Sequence, residues 1–234
     1  MLFQPSCSFC KSPVECCYSI CPKCWLSIKF INRRVCRFCS GVIEEAANCN
    51  ERSKPFICHS CAPLLENTNR KDIISASIVY DDFIKQFILG FKHNNSIQFA
   101  KVFAKLFYRG DFIGADYIVP VPIHHLRLFK RTYNQAALLA FSLEALCDDF
   151  PPVKIQILKK RHYSPSQKKK DFQKRLDNVA DSFFVPEKYA ALIQQKTVVV
   201  LDDVVASGAT LLECKRVLEE AGAKEVRCVA LARS

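Results

Sequence analysis

Long apolar runs are missing from this chain of 234 residues. None approaches the roughly 18 consecutive residues that mark a membrane-spanning helix, and no charged-then-apolar segment resembles a secretory leader. These absences predict a cytoplasmic chain with no transmembrane segment. Acid is in short supply as well, with 23 Asp and Glu against 34 Lys and Arg and a formal net charge of +11. An excess of that size calls for an anionic partner. Cysteine nearly vanishes after residue 61, where Cys147, Cys214 and Cys228 are the last three. The larger part of the chain must therefore fold by burial alone, and a hydrophobic content of 50% makes that feasible.

What is present is unevenly placed. Eleven of the fourteen cysteines lie in the first 61 residues, which predicts a small Cys-rich domain at 1–66 ahead of a larger one at 67–234. Four Cys-x-x-Cys pairs stand out: Cys7 with Cys10, Cys21 with Cys24, Cys36 with Cys39, and Cys58 with Cys61. In a reducing compartment such pairs are better explained by zinc than by disulfides, because each turn puts two thiolates on one side of a knuckle and two knuckles complete a tetrahedron. The eighteen residues between Cys39 and Cys58 match the usual zinc-ribbon spacing. Pairing order stays open: sequential pairing, interleaved pairing of 7/10 with 36/39, and a single occupied site all satisfy the spacing. Cys16 and Cys17 compete as ligands, but the favoured expectation is that they and Cys49 are small buried hydrophobes. An all-cysteine ligand set leaves no open coordination position, so the zinc is expected to be structural.

The segment Thr197-Val-Val-Val-Leu-Asp-Asp-Val-Val-Ala-Ser-Gly-Ala-Thr210 carries the most chemistry. Residues 197–201 are too short and too β-branched for a helix and predict a buried parallel strand. From Thr210 the apolar positions Leu211, Cys214, Val217, Leu218 and Ala221 recur at helical spacing, and Gly222 follows where a C-cap wants a left-handed residue. Residues 224–232 again read as a strand. The whole is a strand, loop, helix, strand unit of an α/β fold, and open α/β sheets bind ligands beyond the carboxyl ends of their strands. Ala206, Ser207, Gly208 and Ala209 have little side chain, so backbone N–H groups can approach an anion at the helix N-terminus. Ser207 and Thr210 add hydroxyls. Asp202 and Asp203 would repel a phosphate but suit vicinal sugar hydroxyls, since a carboxylate accepts two hydrogen bonds. Together these residues predict a sugar-phosphate site.

Positive charge gathers elsewhere. Between residues 154 and 178 nine cations, Lys154, Lys159, Lys160, Arg161, Lys168, Lys169, Lys170, Lys174 and Arg175, face Asp171 and Asp177. Phe129, Tyr133, Tyr163 and Phe172 are interleaved near them, the combination of backbone neutralisation and base stacking that single-strand binders use. Lys159, Lys160, Arg161, Lys168, Lys169, Lys170, Lys174 and Arg175 are accordingly the expected nucleic-acid contacts, although a pyrophosphate-bearing ligand also wants several cations.

The acidic pair and small-residue loop resemble the signature of type I phosphoribosyltransferases. A second set of motifs follows in order: Val119-Pro-Val-Pro-Ile-His-His-Leu-Arg127, Lys130-Arg-Thr-Tyr-Asn-Gln-Ala136, Arg161 through Gln167, Arg175-Leu-Asp-Asn178 and Phe183. With the Cys-rich start, nearly the whole chain resembles the ComF family of competence proteins. The resemblance implies a Rossmann-like parallel sheet flanked by helices, behind a small zinc ribbon. It also implies that Asp202 and Asp203 meet the ribose hydroxyls of phosphoribosyl pyrophosphate while Ala206, Ser207, Gly208, Ala209 and Thr210 hold its 5-phosphate. Arg127 and Arg131, four apart, would clamp the pyrophosphate from one helical face. Lys92, in Gly-Phe-Lys-His-Asn after an amphipathic stretch at 83–91, is a further candidate. Mg2+ is expected through the ligand's own phosphates.

The function so implied is natural transformation, handling incoming single-stranded DNA at the cytoplasmic side of the inner membrane, with a competence helicase or a membrane DNA channel as protein partner. The alternative is an active phosphoribosyltransferase of nucleotide metabolism or salvage. Members acting on purines often carry an acidic residue where this chain has Ala206, and no general base or acceptor pocket is recognisable. Departures from the ComF pattern are Thr132-Tyr133 for Gly-Phe, Ser164 for Thr and Ser207 for Thr. Thr for Gly removes backbone freedom at residue 132.

Overall fold

The computed structural model describes residues 4–31, 74–93, 96–124, 128, 132–146, 148–161 and 181–234. Its first element is a short helix, α1 (Pro22–Leu26), started by a proline whose fixed φ suits the first turn. Strand β1 (Ile74–Val79) leads into α2 (Asp82–His93) and α3 (Gln98–Ala104). After β2 (Tyr117–Pro120) comes α4 (Gln135–Glu144), capped by Asn134, whose side chain accepts from the Ala137 N–H at 3.4 Å. A small antiparallel pair, β3 (Lys159–Lys160) and β4 (Phe183–Phe184), precedes α5 (Glu187–Ile193). The chain then runs through β5 (Thr197–Val205), α6 (Ala209–Glu220) and β6 (Glu225–Arg233).

Strands β1, β6, β5 and β2 lie in that order in one sheet, every pairing parallel. Both faces of central β5 are covered, with Val199 and Leu201 in one core cluster and Val198 and Val200 in the other, which explains why it is a continuous valine run rather than an alternating one. Val198, Val199, Val200 and Leu201 have no exposed surface. At the amino edge Asp116 fixes the register: its Oδ2 accepts from Thr197 N at 2.8 Å and its Oδ1 meets Lys196 Nζ at 3.0 Å. The carboxyl edge is left for the site.

Sequence and structure differ at one informative boundary. The strand expected at 197–201 continues through both aspartates to Val205, because β6 keeps pairing as far as Val205 with Arg233. The helix begins at Ala209, and Gly222 follows its last turn at φ 101°.

One face of the sheet shares its core with the N-terminal cysteine knuckles. Cys7, Phe9, Cys21, Cys24 and Ile28 are buried in the same cluster as Ile84, Phe91, Phe103, Val199 and Leu231. Phe9, inside the first Cys-x-x-Cys turn, stacks on Phe87 of α2 with centroids 4.0 Å apart and also meets Phe83, Phe99 and Phe103. The other face is packed by α6 through Leu211, Cys214, Val217 and Leu218.

Candidate functional site

The turn between β5 and α6 borders a cavity of about 140 Å³ lined by Asp202 and residues 204–211. Gly208 is the N-cap of α6 at φ 78°, a left-handed backbone that glycine adopts without strain. Ser207 Oγ accepts from Ala209 N at 3.5 Å, and no side chain caps the helix from Gly208. The opening N–H groups of α6, with the Ser207 and Thr210 hydroxyls in the same lining, make an anion-binding concavity. The structure thus brings together Ala206, Ser207, Gly208, Ala209, Thr210 and Asp202.

The two carboxylates differ. Asp202 is half-buried and belongs to the cavity lining, and its Oδ1 accepts from Asp203 N at 2.8 Å. Asp203 is 8% exposed and its Oδ2 pairs with Lys92 Nζ at 2.9 Å. Desolvation and then the charge of Asp203 push the Asp202 carboxyl up to about 7, while the Lys92 ammonium pulls it down. A half-protonated carboxyl at neutral pH can donate one hydrogen bond and accept others.

Lys92 reaches Asp203 from the last turn of α2. That helix starts cleanly because Asp81 Oδ1 accepts from Ile84 N at 3.1 Å, and Phe91 anchors its end in the core. The Phe91 carbonyl lies in the final turn, where no helical N–H remains to meet it, and the Tyr133 hydroxyl donates to it. Tyr133 was expected among residues available for base stacking. It packs instead on Phe91 with ring centroids 5.8 Å apart, because its hydroxyl has an acceptor inside the fold. Its neighbour Thr132 has φ 65°, so the β-branched residue standing where the ComF pattern has glycine occupies a left-handed backbone.

Arg127, Arg131, Lys168, Lys169, Lys170, Lys174 and Arg175 lie outside the described residues, as do Phe129, Tyr163 and Phe172. Of the expected DNA contacts, Lys159 in β3 and Arg161 just after it are exposed and Lys160 is half-buried. Lys160 lies over the Phe183 ring at 5.0 Å and Arg161 over Phe184 at 4.9 Å.

Among the cysteines, Cys7, Cys10, Cys21 and Cys24 offer sulfurs all within 4.8 Å of one another. Four thiolates about 2.3 Å from a tetrahedral zinc would stand about 3.8 Å apart, and Cys10 and Cys21 are 3.6 Å apart. The donor set fits a four-thiolate metal. The cluster pairs 7/10 with 21/24, one of the orders that spacing left open. Contact with Ser12 brings the Cys10 thiol down to about 6, favouring the thiolate a metal needs, whereas burial drives Cys24 up. Cys16 and Cys17 stand outside the cluster and are exposed, contrary to the expectation that they are buried hydrophobes. The turn that carries them, ending at Tyr18 with φ 54°, runs over the surface between the knuckles. Cys36, Cys39, Cys49, Cys58 and Cys61 lie outside the described residues.

Residues 97–234 match the phosphoribosyl transferase domain family, to which the chain belongs. Within that class it is a ComF-family protein. It is similar to Competence protein F of Haemophilus influenzae, 31% identical over 117 residues covering 50% of each chain. It is also similar to Competence protein ComFC of Streptococcus pneumoniae, 29% identical over 159 residues, 68% of this chain and 67% of that one. The chain thus spans about half the length of the first relative and two thirds of the second. A solved structure of the allosteric regulatory enzyme of purine biosynthesis is 22% identical over 57% of this chain and 24% of its own, with a TM-score of 0.33. Among the described residues no helix is long and apolar enough to cross a membrane.

Proposed function

We propose that this chain is a competence protein, needed for natural transformation, that binds phosphoribosyl pyrophosphate and handles incoming single-stranded DNA at the cytoplasmic side of the inner membrane. The observation that carries the ligand reading is the cavity at the carboxyl edge of β5, where a small-residue loop, a helix N-terminus and the half-buried Asp202 meet. Residues 206–210 would accept the 5-phosphate and the acidic pair the ribose hydroxyls, with Arg127 and Arg131 neutralising the pyrophosphate. Mg2+ would enter with the ligand's phosphates. The competence role rests on the relatives' names.

For DNA, exposed Lys159 and Arg161 support a contact surface, and Lys160, Lys168, Lys169, Lys170, Lys174 and Arg175 would add their charge to the same binding. Zinc at Cys7, Cys10, Cys21 and Cys24, and a second ion at Cys36, Cys39, Cys58 and Cys61, would be structural. The division into 1–66 and 67–234, and a helicase or membrane channel as partner, belong to the same proposal. The salvage alternative gains no support from the site, because the position that often carries a carboxylate in purine enzymes is Ala206.

Calorimetry with phosphoribosyl pyrophosphate and a transformation assay test the reading together. Binding by the native chain is expected to vanish in Asp202→Asn/Asp203→Asn, with transformation lost in the same folded variant. No binding by the native chain would remove the ligand reading. Single-strand affinity that does not fall as salt rises would remove the DNA reading.

A further inference from the structure

Lys92 and Asp203 form a largely buried ion pair between α2 and β5. Lys92 is a cation that the structure brings against the acidic pair, its side chain 19% exposed and that of Asp203 11%. Its Nζ is 2.9 Å from Asp203 Oδ2, whereas the cavity lining contains Asp202 but neither Lys92 nor Asp203. The Asp203 N–H, in turn, donates to Asp202 Oδ1 at 2.8 Å. A chain of contacts therefore runs from α2 through Asp203 to the carboxylate that faces the cavity. Its far end is fixed as well, because the Tyr133 hydroxyl holds the Phe91 carbonyl one residue before Lys92.

We propose that Lys92 is a positioning residue which holds the acidic pair for the sugar hydroxyls through Asp203, and is not a ligand of the pyrophosphate group. This rests on the phosphoribosyl pyrophosphate reading above. Lys92 is absent from the cavity lining, so to meet a phosphate there it would have to swing away from Asp203, and the abandoned carboxylate would be left buried without its partner, a costly state. Held in place, the ammonium offsets one of two adjacent negative charges and leaves the other carboxyl free for hydroxyl groups. Tyr133 supplies the hydrogen bond that the open end of α2 lacks, so the lysine departs from a fixed turn.

Affinity measurements by calorimetry on the full chain test this with three probes: phosphoribosyl pyrophosphate, ribose 5-phosphate and 2-deoxyribose 5-phosphate. Lys92→Met is expected to weaken the first two alike, on the order of tenfold for coupled neighbours, and to bring the preference for ribose over deoxyribose close to one. In an Asp203→Asn background the same change should add nothing, and Lys92→Arg should restore part of the preference. Tyr133→Phe should shift the preference in the same direction by less. Loss confined to phosphoribosyl pyrophosphate would make Lys92 a pyrophosphate ligand and overturn the proposal. Equal loss on both sugars would reduce it to a structural lysine, and additive losses in the double variant would break the link through Asp203. If the native chain binds none of the three, the ligand reading itself has failed. If it binds with an unaltered sugar preference in Lys92→Met, the positioning role alone has failed.

Discussion

A Cβ placed on Gly208 would lie 2.5 Å from the Cδ1 of Ile74, on the first strand of the sheet. This glycine at the head of α6 is thus pressed against a fully buried side chain while its φ stands at 78°. Both facts penalise a larger residue.

Gly208→Ala should therefore lose ligand binding in calorimetry and destabilise the fold. The left-handed backbone costs about 1 to 2 kcal/mol for a residue with a Cβ, and displacing Ile74 adds to it. Chemical denaturation reads the stability loss. A variant with native stability and native affinity would show that the turn relaxes.

The opposite outcome is expected at Thr132. Its φ of 65° is unfavourable for a β-branched residue, and its N–H already donates to the Leu128 carbonyl at 2.7 Å, so the turn is held in place. Thr132→Gly relieves the strain but frees the unfolded chain, leaving a net gain of roughly 0.5 to 1 kcal/mol. A higher urea midpoint with an unchanged slope would be the signature.

The pH dependence of stability follows from Asp202. Its folded pKa of about 7 lies above the ordinary carboxyl value of 3.8, so the fold favours the protonated form. That contribution is complete below the unfolded value and is lost as pH rises through about 7. Asp202→Asn should accordingly gain stability over the native chain as pH is raised from 4 to 8, with the difference levelling off above 7. Melting curves at several pH values check the sign. A gap that widens toward acid would refute it.

Metal removal should be felt across the sheet, because Cys7, Cys21 and Cys24 share a core with β5 and β6. Cys24→Ser, or the native chain treated with chelator, is expected to lower the melting temperature of the transition reported by core aromatics, alongside loss of bound zinc by elemental analysis. Phe9→Ala should cost about 3 to 5 kcal/mol by the removal of a buried ring. An unchanged core transition after chelation would separate the two regions.

Much of the sheet was legible in the sequence because its signals are local. The valine run of β5, the helical spacing from Leu211 to Leu218 and the glycine at 222 each act within a few residues. The loop was legible for the same reason. What sequence did not supply was distance across the fold. Lys92 and Asp203 are more than a hundred residues apart in sequence, and nothing near either one announces a 2.9 Å ion pair. Phe9 likewise carried no signal, since a lone aromatic in a cysteine turn has no periodicity. Tyr133 did carry one: a hydroxyl replacing a phenylalanine beside a core helix asks where its acceptor is.

The Phe9 ring has a final consequence for handling the protein. Phe83, Phe87, Phe99 and Phe103 close around it, so proteolysis that strips away the first knuckle would turn four ring faces toward water. A patch of that kind drives self-association. The knuckle is a stopper as well as a candidate metal holder, and losing it should cost solubility before it costs secondary structure.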